Sequence, residues 1–199
     1  MSRQAHRPFS VCVYCSSSAA APGDLLEAAA EFGTILARDG ARMVYGGGGL
    51  GLMGACARAA HDAGGEVVGV IPRFLTELEL AYSEARTEVV ETMHERKARM
   101  FEESDAFAIL PGAIGTLEEV VELLSWRRLG LHAKPIVFFN PDGFWNRLFE
   151  LFDQFAAQSL LPAEFRDSWS KVDRIEDLLP SLRSAPRTTA EYVPIIQRM

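Results

Sequence analysis

Cysteine is scarce, with only Cys12, Cys15 and Cys56 in 199 residues. Three is too few, and odd in number, for a disulfide framework. Cys12 and Cys15 have CxxC spacing, but both fall in the strand-like run Val11–Cys15, where an offset of three sends side chains to opposite faces. A redox pair is therefore not expected. Histidine is as sparse: residues 6, 61, 94 and 132 are dispersed without HExxH spacing, so no protein-bound metal is expected. Positive charge is in deficit, twenty Lys and Arg against twenty-seven Asp and Glu, for a net charge of -7. General nucleic-acid binding is disfavoured, and any basic groups that hold phosphate must be concentrated locally. No apolar run reaches eighteen residues, and Met1–Ser10 lacks the apolar centre of a secretory signal. The expectation is a cytoplasmic protein with no membrane partner.

What is present is an alternation of short apolar runs with helical patterns. Strands are predicted at Val11–Cys15, Ala41–Tyr45, Glu66–Ile71, Ala106–Leu110 and Pro135–Phe139, with short ones at Thr87–Glu91 and Val172–Arg174. Helices are predicted at Asp24–Asp39, Leu52–Ala63, His94–Glu103, Leu117–Leu129, Asp142–Gln158 and Ile175–Leu179, with an aperiodic tail after Pro180. This pattern predicts an α/β, Rossmann-like, doubly wound parallel sheet with helices on both faces, in one domain over residues 1–199. A chain of this length buries roughly 70% of its unfolded surface, enough for one core. Leu123 and Trp126 widen the apolar face of Leu117–Leu129, and the run Phe144–Phe155 is broad and aromatic. These faces fit either a thick core or a homodimer interface.

Two glycine clusters follow predicted strands. Gly46-Gly47-Gly48-Gly49-Leu50-Gly51-Leu52-Met53-Gly54 runs into a helix whose N–H groups and dipole suit an anion. It lacks the Lys-Ser/Thr of a P-loop, which disfavours ATP-driven phosphoryl transfer. Its literal GxGxxG, with Arg73 as a 2'-phosphate partner, leaves a nicotinamide oxidoreductase as an alternative. The second cluster is Pro111-Gly112-Ala113-Ile114-Gly115-Thr116-Leu117-Glu118-Glu119. Here Thr116 to Glu119 reads as a capping box, with Thr116 the N-cap. A carboxylate near a helix start is favoured in its charged form, which suits a base or a stabiliser of cationic character. Between the clusters, Met93-His94-Glu95-Arg96-Lys97 offers a rigid guanidinium fork and a flexible ammonium, which solvated helix charge would equally explain. His94 reads as structural. Lys97 and Lys134 are lone lysines, so pyridoxal-dependent decarboxylation has no support in the residues.

GGGxxGLMG at 46–54, MHERK at 93–97 and PGAIGTLEE at 111–119, in that order, resemble the LOG family of cytokinin-activating phosphoribohydrolases, long mislabelled as lysine decarboxylases. The resemblance covers about residues 9–165 and leaves 166–199 as a C-terminal extension. It implies hydrolysis of the N-glycosidic bond of an N6-modified adenosine 5'-monophosphate, or of AMP itself, by a homodimer that needs no cofactor. It makes Arg96 and Glu119 catalytic. Glu79, Lys97, Gly112, Ala113, Ile114, Gly115, Thr116, Leu117, Glu118 and Ser125 would bind the nucleotide. Ser16, Ser17, Ser18, Gly46, Gly47, Gly48 and Gly49 would bind its phosphate. The chain departs from the family at Ala113, where a glycine is usual, and at Ser16, also usually glycine. If the turn needs positive φ at residue 113, alanine would strain it and shift its N–H donors. A nucleotide-binding sensor or carrier without turnover is the other reading.

Overall fold

Parallel strands covered on both faces need apolar side chains at odd and even positions alike. β1 (Ser10–Tyr14) meets that demand, with all five residues buried. So do β2 (Arg42–Tyr45), β3 (Val67–Pro72), β5 (Ala106–Ile109) and β6 (Ile136–Phe139). β4 (Arg86–Val90) and β7 (Ser170–Val172) are more exposed, as befits edge strands. The computed structural model describes residues 7–76, 82 and 84–185. All seven strands are parallel, in the order β4-β3-β2-β1-β5-β6-β7.

Alternate residues of one strand feed two separate cores. Val11, Val13 and Cys15 face the layer of α1 (Gly23–Asp39), α2 (Gly51–Asp62) and α6 (Leu178–Ser184). Cys12 and Tyr14 face α3 (Met93–Glu102), α4 (Ile114–Arg128) and α5 (Asn146–Ala157). The CxxC pair is thus split across the sheet, as the strand period requires. All three cysteines are free and buried. Burial pushes the Cys56 thiol up to about 12 and the Cys12 thiol further, Cys12 also feeling the charge of Glu119.

Several boundaries differ from expectation. The helix predicted at Asp142–Gln158 begins instead as a short 3-10 turn at Pro141–Gly143, because Asp142 sits at φ 49 and interrupts it before α5. The last strand lies two residues earlier than predicted. Of the tail expected to be aperiodic after Pro180, the first residues are helical: α6 continues to Ser184 and buries Leu182 completely, while residues 186–199 lie outside the described residues. Pro180 is tolerated because it stands in the first turn, where its missing N–H has no intrahelical partner to lose. α3 and α4 start one and three residues before their predicted positions. No helix among the described residues is long and apolar enough to cross a membrane.

Candidate active site

β1 is the strand at which the order of the sheet reverses, with β2 on one side and β5 on the other. Connections leaving the carboxyl ends of β1 and β5 diverge there and leave a crevice, the usual ligand position in such sheets. After β1 the chain makes the serine turn Ser16–Ser18; after β5 it makes Pro111–Ala113 and enters α4. Ser16 ties the two together, its N–H donating to Pro111 O at 3.1 Å and its carbonyl accepting from Met53 N at 3.1 Å. Gly51, at φ 59, lets the serine turn lie against the start of α2: a Cβ there would stand 2.6 Å from Ser17 C.

Between these turns lies a cleft of about 590 Å3, lined by the serine turn, Cys15, Met53, Met93, Arg96 and the first turns of α4. α4 opens without a side-chain cap. Its first i to i+4 bond runs from Leu117 N to Ala113 O, 2.9 Å. The N–H groups of Ile114, Gly115 and Thr116 therefore precede the internal ladder, at the positive end of a fifteen-residue helix. Such a terminus suits a phosphate. The capping box expected at Thr116 is absent, because Thr116 lies inside the helix and folds back over Gly112. Ala113 is the N-cap, at φ -105. That angle is open to any L-residue, so the alanine carries none of the strain that a positive φ would impose.

Arg96 and Glu119 line the cleft although they are only 4% and 7% exposed. Arg96 reaches it from the second turn of α3. Its Nε donates to Val70 O at 3.2 Å and its Nη2 to Gly46 O at 2.9 Å, with Met93 Sδ 3.9 Å from Nη1. The start of α3 is itself fixed: Thr92 Oγ1 accepts from Glu95 N at 3.1 Å, and Glu95 Oε2 accepts from Glu91 N at 2.9 Å. The side-chain cap expected on α4 is thus found on α3. Glu119 projects from the second turn of α4, and its charge is felt by the buried Tyr14 hydroxyl. Burial raises that hydroxyl first, with Cys12 and Glu119 adding to the shift.

Ten of the residues singled out in the sequence meet in this cleft: the three serines, Arg96, Ala113, Ile114, Gly115, Thr116, Glu118 and Glu119. Lys97 stands behind it, its ammonium bonded to Glu118 and, at 3.0 Å, to Glu122. Burial alone would lower its pKa, but the two carboxylates outweigh burial and raise it. Leu117 packs in the core beneath α4. Ser125 lines a separate groove, donating to Val121 O at 2.7 Å. The 46–49 run does not line the cleft and makes internal contacts instead: Gly46 O holds Arg96, Gly47 O accepts from Tyr82 N, and Gly49 O accepts from Arg58. Arg73, considered for a 2'-phosphate, pairs with exposed Glu91 on a short turn. Glu79 lies outside the described residues. Cys15, Met53 and Met93 line the cleft without having been singled out; Met93 was findable, since i and i+3 on a helix share a face with Arg96.

A family profile described as "Possible lysine decarboxylase" matches residues 53–182. A probable cytokinin riboside 5'-monophosphate phosphoribohydrolase of Oryza sativa subsp. japonica, LOGL9, is 44% identical over 179 residues, covering 85% of this chain and 78% of its own. The rice LOGL1 protein of the same description is 39% identical, covering 92% of this chain and 83% of its own. The cytokinin riboside 5'-monophosphate phosphoribohydrolase LOG3 of Arabidopsis thaliana is 36% identical, covering 95% and 85%. Among solved structures, the molybdenum cofactor carrier protein of Chlamydomonas reinhardtii superposes with a TM-score of 0.69 at 19% identity, covering 90% of this chain and 98% of that one. That likeness is one of fold.

Proposed function

The chain belongs to the LOG family of cytokinin riboside 5'-monophosphate phosphoribohydrolases, and we propose that its cleft carries out that reaction with Arg96 and Glu119 as the catalytic pair. The enzyme hydrolyses the N-glycosidic bond of an N6-modified adenosine 5'-monophosphate to free base and ribose 5-phosphate. The observation that carries the assignment of roles is one cleft holding a helix N-terminus, a buried guanidinium and a buried carboxylate together.

The phosphate docks on the N–H groups of Ile114, Gly115 and Thr116 and on the serine turn Ser16–Ser18. This docking holds the sugar at a fixed distance from Glu119. As the bond from C1' to the base nitrogen lengthens, positive charge grows on the ribose. The Glu119 carboxylate stabilises that charge and orients a water for attack. Water supplies hydroxyl to C1', and its proton ends on the purine. Arg96 fixes ribose or phosphate against the carboxylate. Lys97 acts one step removed, by balancing Glu118 and Glu122. A decarboxylase chemistry through Lys97 is disfavoured, because aldimine formation needs a neutral amine and two carboxylates keep this one protonated.

A homodimer is part of the same reading. A groove of about 310 Å3 runs between α4, α5 and the 163–168 turn, lined mostly by apolar residues such as Val121, Leu124, Phe152, Phe155 and Leu161. A second copy would cover it.

The test is a panel of purine and pyrimidine monophosphates, including N6-isopentenyl-AMP, with product identification. Adenine or modified adenine should appear with ribose 5-phosphate, and none from the free nucleoside. No base release from any monophosphate would remove the enzymatic reading and leave a nucleotide carrier.

A further inference from the structure

We infer that Gly46 is a positioning residue: it leaves the space in which the Arg96 guanidinium lies, and its carbonyl fixes where that guanidinium points. The inference rests on the catalytic reading of Arg96 and concerns a glycine that the motif alone places with phosphate.

Three observations carry it. A Cβ built on Gly46 would overlap Arg96 Nη2 and stand 3.0 Å from Cζ, with Met53 Cε at 3.3 Å. The Gly46 carbonyl accepts from the same Nη2 at 2.9 Å, while Val70 O takes Nε at 3.2 Å. Gly46 is also not among the glycines held at positive φ, unlike Gly47 at 82° and Gly51 at 59°. Its backbone would therefore accept any L-residue. What excludes a side chain at 46 is the guanidinium itself, not the turn.

A guanidinium has five N–H groups in one rigid plane. Fixing Nε on a carbonyl within β3 and one Nη2 proton on the carbonyl just after β2 sets the plane and aims its remaining edge. A methyl at 46 would break the Nη2 bond and push the plane aside by an ångström or more. The group displaced is the far end of a long side chain, so the backbone can stay where it is. A misplacement of that size costs on the order of 100-fold in rate.

Gly46→Ala, Arg96→Ala and the double variant test this on N6-isopentenyl-AMP, or on whichever monophosphate the panel identifies as substrate. Gly46→Ala should melt within a few degrees of the parent yet lose about 100-fold in kcat/KM, chiefly in kcat. The double variant should be no slower than Arg96→Ala, because alanine at 46 harms only an arginine. A merely structural glycine would instead multiply the two losses. Should Gly46→Ala lower the melting temperature markedly, the Arg96→Ala background decides: recovery of stability there supports the clash, and persistent loss overturns it. Parental turnover in Gly46→Ala, or multiplicative effects, would overturn the inference while leaving Arg96 catalytic. Parental turnover in Arg96→Ala would overturn it too, and would also remove the catalytic role of Arg96.

Discussion

A guanidinium with two protons committed to the carbonyls of Val70 and Gly46 has little rotational freedom left, and most of the cost of ordering it is met as the chain folds. Glu119 is nearly as buried, on the second turn of α4. The pair is therefore prepared before substrate arrives, the condition under which fixed charges contribute most to a transition state. Glu119→Gln keeps the shape and removes the charge. We expect its melting temperature to stay within a few degrees and kcat to fall at least about tenfold, because an amide is neither base nor anion. Steady-state kinetics with parental kcat would strip Glu119 of its role. At this scale the meeting of Arg96 and Glu119 in one cleft was legible from residue type and motif. The contact of Gly46 with Arg96 was not, because glycine leaves no trace in a sequence of whether it serves a turn or a neighbour's side chain.

The elements that matter most are α3 and α4, the two helices whose N-terminal ends meet the cleft. Both carry a Thr-x-x-Glu pattern, Thr92 to Glu95 and Thr116 to Glu119, yet only the first provides a side-chain cap. The difference lies in where each helix begins. α3 starts directly after Thr92, whereas the turn at Gly112 and Ala113 is tight enough to start α4 at Ile114. Leaving the α4 terminus without a side-chain cap keeps its donors available to a ligand. Capping α3 holds the helix that carries Arg96. Thr92→Ala should cost about 1 kcal/mol, or roughly 2–4 °C for a chain of this size. Thermal unfolding followed by circular dichroism checks it, and an unchanged midpoint would show the cap to be idle. Sequence periodicity placed the helices but not their first residues, since a cap is settled by tertiary position as much as by pattern.

Across the whole molecule, seven parallel strands bring together stretches as distant as Ser16, Met53, Arg96 and Glu119 at one switch point. The sheet was legible because strands buried on both faces read as unbroken apolar runs. The fate of the surplus apolar surface was less so: Trp145 and Phe149 went into the core, while Val121 and Leu160 stayed exposed around one groove. If a second copy covers it, light scattering at micromolar concentration should give a mass near twice 21.9 kDa, and Val121→Asp should halve it. A monomeric parent would refute the pairing. One last feature reaches beyond the site. All three thiols are buried and free of crosslinks, and burial holds Cys12 and Cys56 far from ionising near neutral pH. Reagents that seek thiolates reach Cys12 and Cys56 only when the sheet opens, so these two become a clock for unfolding. Cys15, which lines the cleft, would be shielded for as long as a ligand stayed in place.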